Sequence, residues 1–150
     1  MGERKDVPRG ARIFGYLVAA LLNLAMLWIA WHVLDWGWLP FLTGGWREVL
    51  PVLTLSLGAT VAVNLGYVVH DPPWLRSAAG IVLLVLSVAV TVQLLRVFPF
   101  LLSGYEFPWD TVARVVLLVA LVGTLIAIVV EIVKLVRLAE RPRAAVPPAA

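Results

Sequence analysis

The chain has 150 residues, 62% of them apolar and 14% charged, with a mean hydropathy of +0.97. A soluble domain of this size is about half apolar and a quarter charged, so water is not the main solvent of this sequence. The formal net charge of +3 would raise nucleic acid as a partner in a soluble chain, but the charges sort by side of a membrane instead, and the absence of cysteine excludes disulfide exchange, thiolate metal sites and covalent haem attachment.

Residues 1–12 are polar and basic and are expected to form a cytoplasmic N-terminal segment. The first apolar run, Ile13 to Leu34, ends in "AWHVLDWGW" with no small-x-small cleavage pattern, so it reads as an uncleaved span and not as a secretion signal. Three more runs follow, Leu50 to Val69, Ala78 to Phe98 and Val112 to Val136. Each can cross roughly 30 Å of hydrocarbon at about 1.5 Å per residue. In hydrocarbon every backbone N–H and C=O must be paired within its own segment or in a closed barrel, and these runs are about twice the length of a barrel strand. The expected fold is therefore all-α and polytopic: a four-helix transmembrane bundle over 13–138, with spans of about 13–34, 50–69, 78–98 and 112–136. The tail 139–150 carries Pro142 and Pro147-Pro148 and is expected to be disordered.

The connections differ in character. "HDPPWLR", His70 to Arg76, predicts a tight turn that stops the second helix near His70, because Pro72 disfavours helical φ/ψ at Asp71. The other two connections are rich in aromatics: Trp36, Trp38, Phe41 and Trp46 in one, Phe100, Tyr105, Phe107 and Trp109 in the other. Such rings favour the headgroup layer, so these loops should lie on the membrane surface as caps. Of the 12 Lys and Arg residues, all but Arg47, Arg96 and Arg114 fall on the side of the termini and the His70–Arg76 turn, which predicts a multi-pass protein of a bacterial plasma membrane with both termini cytoplasmic.

The two aromatic connections also repeat a phrase. Pro40-Phe41-Leu42 matches Pro99-Phe100-Leu101, Thr43-Gly44 matches Ser103-Gly104, and Trp46 or Trp109 starts the return helix. A duplicated two-helix unit, roughly 13–69 and 77–136, explains the match. An even number of spans separates the copies, so they would share orientation about an axis along the membrane normal, with Pro40 on Pro99.

Helices in lipid associate through close approach at small residues and through interhelical hydrogen bonds. Span two carries two small-residue stripes, Thr54-Gly58-Ala62-Gly66 and Ser56-Thr60-Asn64, and should be central. Span one offers Gly15, Ala19 and Asn23, and span four Ala120, Gly123, Ala127 and Glu131. Span three, with only Ser87 and Thr91, is expected to face lipid.

Polar groups inside a span are costly and raise a functional hypothesis. The candidates are Asn23 and Asn64, which could ligate an ion or solute or bond to a neighbouring helix; Arg96, at the end of span three; and Glu131, placed to pair with Lys134. Asp110 and Arg114 should pair on span four. His32 and His70 sit at opposite depths and cannot share one metal. With no nucleophile–base constellation, glycine-rich phosphate loop or zinc spacing, neither catalysis nor a cofactor or metal site is expected.

"PFLTGGW" followed by "VLPVLTLSL", "HDPPW" and "RVFPF" resembles small four-span integral membrane proteins of high-GC Gram-positive bacteria, over about residues 13–138. That resemblance carries no activity across. Small four-helix drug exporters depend on a carboxylate in the middle of their first span, a depth occupied here by Asn23. The expected function is a non-catalytic accessory or interaction module binding other membrane subunits, a second copy or lipids. A small oligomeric channel or uncoupled carrier is the alternative.

Overall fold

The computed structural model describes residues 8–102 and 106–140. Four helices run through it: α1 (Arg9–Trp36), α2 (Trp46–Val69), α3 (Pro73–Val97) and α4 (Trp109–Ala139). All four are long and apolar enough to cross a membrane. Each begins three to five residues before the apolar run that announced it. The added stretches, such as Arg9 to Arg12 and Trp46 to Val49, bring in charged and interfacial residues, and a helix continues into the headgroup layer after hydrocarbon ends. The turn of the second loop phrase at Ser103-Gly104, the first seven residues and the tail after Glu140 lie outside the described residues.

Local chemistry sets the helix ends. α1 stops at Gly37, whose φ of 63° is left-handed and whose N–H bonds to Leu34 O at 3.3 Å. α2 stops one residue before extended His70, and α3 starts with Pro73 at a position that needs no N–H, so the Pro72-Pro73 pair ends one helix and begins the next. Trp46 and Trp109 open the two return helices, as the repeated phrase implied.

Among the described residues the helices pack as an open row. α1 contacts α2, α2 contacts α3 and α3 contacts α4, while α1 and α4 do not meet. Span two is central, but so is span three. The helix most exposed to lipid is α4, which has no buried residue, whereas α3 buries Ser77 and Thr91 against its neighbours. The expectation that span three faces lipid fails because apolar side chains alone suffice to hold it between two helices.

The small-residue stripes mislead in a second way. A Cβ placed on Gly15, Gly58, Gly66 or Gly123 meets no atom within 4 Å, so none of these glycines lies at a close helix crossing in the chain. The tight glycine is Gly45, just before α2, where a Cβ would sit 3.0 Å from Val97 Cγ1 and 3.7 Å from Pro99 Cβ.

Gly45 belongs to a clamp formed by the two aromatic loops. Thr43 N donates to Pro99 O at 2.8 Å, Leu101 N to Phe41 O at 2.6 Å, and Leu42 faces Phe100 in an isolated antiparallel bridge. The Thr43 hydroxyl adds a bond to Pro99 O at 3.1 Å. Val49 and Pro99 are fully buried beneath. The two backbone bonds exchange under a local two-fold that takes Phe41 to Pro99 and Thr43 to Leu101. The pairing is therefore one residue out of step with the sequence phrase, in which Pro40 matches Pro99. Antiparallel geometry sets this register: Pro99 has no N–H, and it serves here through its carbonyl alone.

Candidate functional site

The two ends of the row differ and are named here for their connections: the loop end, with the clamp, and the turn end, where the α2–α3 turn lies beside the start of α1. At the turn end Asp71 accepts a hydrogen bond from Tyr16 at 3.1 Å and faces Arg12 Nε at 3.5 Å, so a carboxylate in the turn holds the first helix by two side chains. Tyr16 also packs on Tyr67, ring centroids 5.2 Å apart. Their meeting depends on the antiparallel register of α1 and α2, which the sequence does not spell out.

The four polar candidates do not converge. Asn23 and Asn64 are half-buried, and each amide donates to the carbonyl one turn back on its own helix, Ala19 O and Thr60 O, both at 2.8 Å. Neither N–H reaches another helix. The same back-bonding takes up Thr60, Thr91 and Thr124 at 2.8–2.9 Å. Five polar side chains in mid-span thus satisfy their donors locally, which lowers the cost of holding them in a low-dielectric layer.

Arg96 is exposed at the loop end and makes no ion pair among the described residues. Glu131 stands near the turn end, opposite Gly80, and accepts from Lys134 at 2.6 Å. The expected Asp110–Arg114 pair is not formed. Arg114 instead lies over the Phe98 ring, 4.0 Å from its centroid, because Phe98 leaves α3 with a left-handed φ of 42° that turns it toward α4. His32 bonds to Trp28 O at 2.7 Å within a stack of Trp28, Trp36 and Trp38, and His70 ends α2.

Among the described residues, the surfaces left for function include the outer faces of α1 and α4 and cavities, one under the clamp and one at the turn end among them. The exposed part of α1 from Leu17 to Trp31 and of α4 from Val115 to Val133 is apolar throughout. Under the clamp is a cavity of about 410 Å³ with an apolar lining that includes Ala30, Phe41, Trp46, Leu57 and Phe100; Trp46 Nε1 closes one side by donating to Ala30 O at 2.8 Å. At the turn end a cavity of about 520 Å³ between α3 and α4 is lined by charged residues, among them Arg76, Lys134 and Arg137. Sequence reading counted these three as inward-facing charge but did not join them, since only the antiparallel pairing of α3 and α4 does so.

Four apolar helices, unpaired edge faces and locally satisfied polar groups define a small polytopic membrane protein in contact with the bilayer. A family model described as "Putative phage holin family 2" matches residues 49–144, from the first turn of α2 through α4, and the chain belongs to that family of small membrane proteins. α1 lies wholly outside the matched stretch. No curated protein and no solved structure matches the chain.

Proposed function

We propose that this protein opens a bacterial membrane as an oligomer, without catalysing a reaction, each chain supplying one four-helix segment of the wall. The open row carries the reading: α1 and α4 each have a single helix neighbour, so one chain encloses no lumen. Membership of a holin family supports it, a holin being by name a hole-former. α4 runs toward the turn end and α1 away from it. The α4 of one copy therefore meets the α1 of the next in the antiparallel sense in which α2 meets α3, and a head-to-tail contact of that kind extends the row until it closes. The wetted side of the wall is the α2 stripe Ser56, Thr60 and Asn64. Its amide and threonine donors are satisfied inside the helix, and its remaining acceptors can take water after assembly.

In this reading both termini and the α2–α3 turn are cytoplasmic, from the excess of Lys and Arg there, the host is a high-GC Gram-positive bacterium, from the sequence resemblance, and the two hairpins are copies of one unit. The test is release of dyes of graded size from liposomes carrying the purified chain. Release should rise faster than linearly with protein-to-lipid ratio and fall in Asn64→Leu. Leu24→Cys with Val129→Cys, at one depth on opposite edges, should give disulfide-linked ladders. Absence of both release and ladders overturns the proposal. A second reading is favoured by the lack of any polar stripe on the outer faces of α1 and α4: the accessory module, in which those faces hold another integral protein. A stoichiometric partner from native membranes, with no release by the purified chain, selects it.

A further inference from the structure

We infer that the turn-end cavity between α3 and α4 is a binding site for a phosphate oxyanion, and that its occupant in the membrane is the headgroup of an anionic phospholipid. The cavity measures about 520 Å³ and is walled by Pro73, Arg76 and Ser77 from the first turns of α3 and by Glu131, Lys134 and Arg137 from the last turns of α4. This volume lies in the ordinary range of small-ligand sites, about 300–1,000 Å³. Three cations face one carboxylate. Lys134 is committed to Glu131 at 2.6 Å, while Arg76 and Arg137 have no acidic partner among the described residues.

Two further observations point to an anion. The first turn of α3 contains no acidic residue and receives no side-chain cap, so the Trp74 and Leu75 N–H groups stand unpaired at the positive end of a 25-residue helix. Ser77 is 7% exposed yet lines the cavity, and its hydroxyl has no partner among the described residues, unlike Thr60, Thr91 and Thr124, which bond to their own helices. A buried serine whose hydroxyl is left open to the cavity, two guanidinium groups with no acidic partner and an uncapped helix start form a donor-rich pocket around one carboxylate already paired with Lys134, and a phosphate with its several acceptor oxygens satisfies it. The pocket lies where the helices leave hydrocarbon. Trp74 is exposed beside it, and Ile132, Val133 and Val136 continue an apolar surface along α4 for acyl chains. Basic pockets between helices at this level suit anionic headgroups.

The experiment titrates the purified full-length chain in neutral detergent with short-chain phosphatidylglycerol, short-chain phosphatidylcholine or inorganic phosphate. Thermal unfolding and native mass spectrometry are the readouts. Phosphatidylglycerol should raise the unfolding temperature and remain bound one to one, phosphatidylcholine should do neither, and inorganic phosphate should act only at much higher concentration. Arg76→Gln and Arg137→Gln should each weaken phosphatidylglycerol by about tenfold, Ser77→Ala less, and Arg47→Gln at the loop end not at all. If Ser77→Ala or a Gln variant does not fold, Arg76→Lys and Arg137→Lys serve, keeping charge but losing the forked donor. Equal retention of both lipids, or undiminished phosphatidylglycerol binding in the arginine variants, overturns the site. A full effect of phosphate at the lipid's concentration keeps the phosphate site and overturns the lipid as its occupant.

Discussion

The loop end and the turn end close the same row of helices by opposite means. At the loop end two segments far apart in sequence meet through backbone amides, with Thr43 and Leu101 donating across the pair and Val49 and Pro99 sealed below. At the turn end a short covalent turn is steadied by polar side chains, Arg12 and Tyr16 on Asp71, while Lys134 and Glu131 pair within α4. Amide bonds in an apolar cap have no competitor, whereas partly exposed ion pairs compete with water, salt and headgroups. The lesson is a division of labour, in which the loop end fixes the order of the helices and the turn end stays open to ligands.

The largest effect expected of a single change falls on the clamp. Gly45→Leu drives a side chain into Val97 and Pro99 and should destabilise the fold by about 1–3 kcal/mol, read as a lower unfolding midpoint in mixed detergent with no dependence on salt. A midpoint equal to the parent protein's would mean that the loops are not clamped. Next in size is Asp71→Asn, which removes the partner of Arg12 and weakens that of Tyr16. Arg12 is 38% exposed and Asp71 23%, so the loss should be under about 1 kcal/mol and should vanish at high salt. A loss that persists in molar salt would make the turn end as rigid as the loop end. The smallest effect belongs to Gly58→Ala and Gly123→Ala. Neither added methyl meets an atom within 4 Å, and both replace a poor helix former, so stability should hold or rise by up to about 1 kcal/mol. If folding is unharmed while dye release is lost, the glycines serve contacts between copies.

The existence of all four helices was plain in the sequence because hydrocarbon demands long apolar runs, and the stop at His70 and the starts at Trp46 and Trp109 were plain because proline and interfacial aromatics mark them. The order of neighbours was not. Leu117, partly covered, and Val119, exposed, are the same kind of residue, since lipid and protein interior are about equally apolar. Gly58 and Gly123 were overread for a related reason: a small residue permits close approach without requiring it. Of the candidate residues, Glu131 with Lys134 was readable from helical spacing. The cavity they join with Arg76 and Ser77 was not, because it exists only across two antiparallel helices. The loop clamp was half legible, as a repeated phrase, with its one-residue offset hidden until the backbones paired.

α4 has 31 residues, which at about 1.5 Å each make a rod of roughly 46 Å, against a hydrocarbon slab of about 30 Å. A rod too long for its slab leans, and its neighbours set the lean. α4 has one neighbour, no buried residue, and a side-chain attachment to the rest of the chain, Arg114 on Phe98, near its beginning. It is therefore a rod held along one side by α3 alone, with bilayer thickness as the applied load. A thinner membrane tips its far end away from Arg76 and widens the gap at its foot, while a thicker one draws that gap shut. Spin labels at Trp74 and Leu138 should move apart as acyl chains are shortened, and an unchanged separation would mean that the packing on α3, with Glu131 opposite Gly80, braces α4 to its foot.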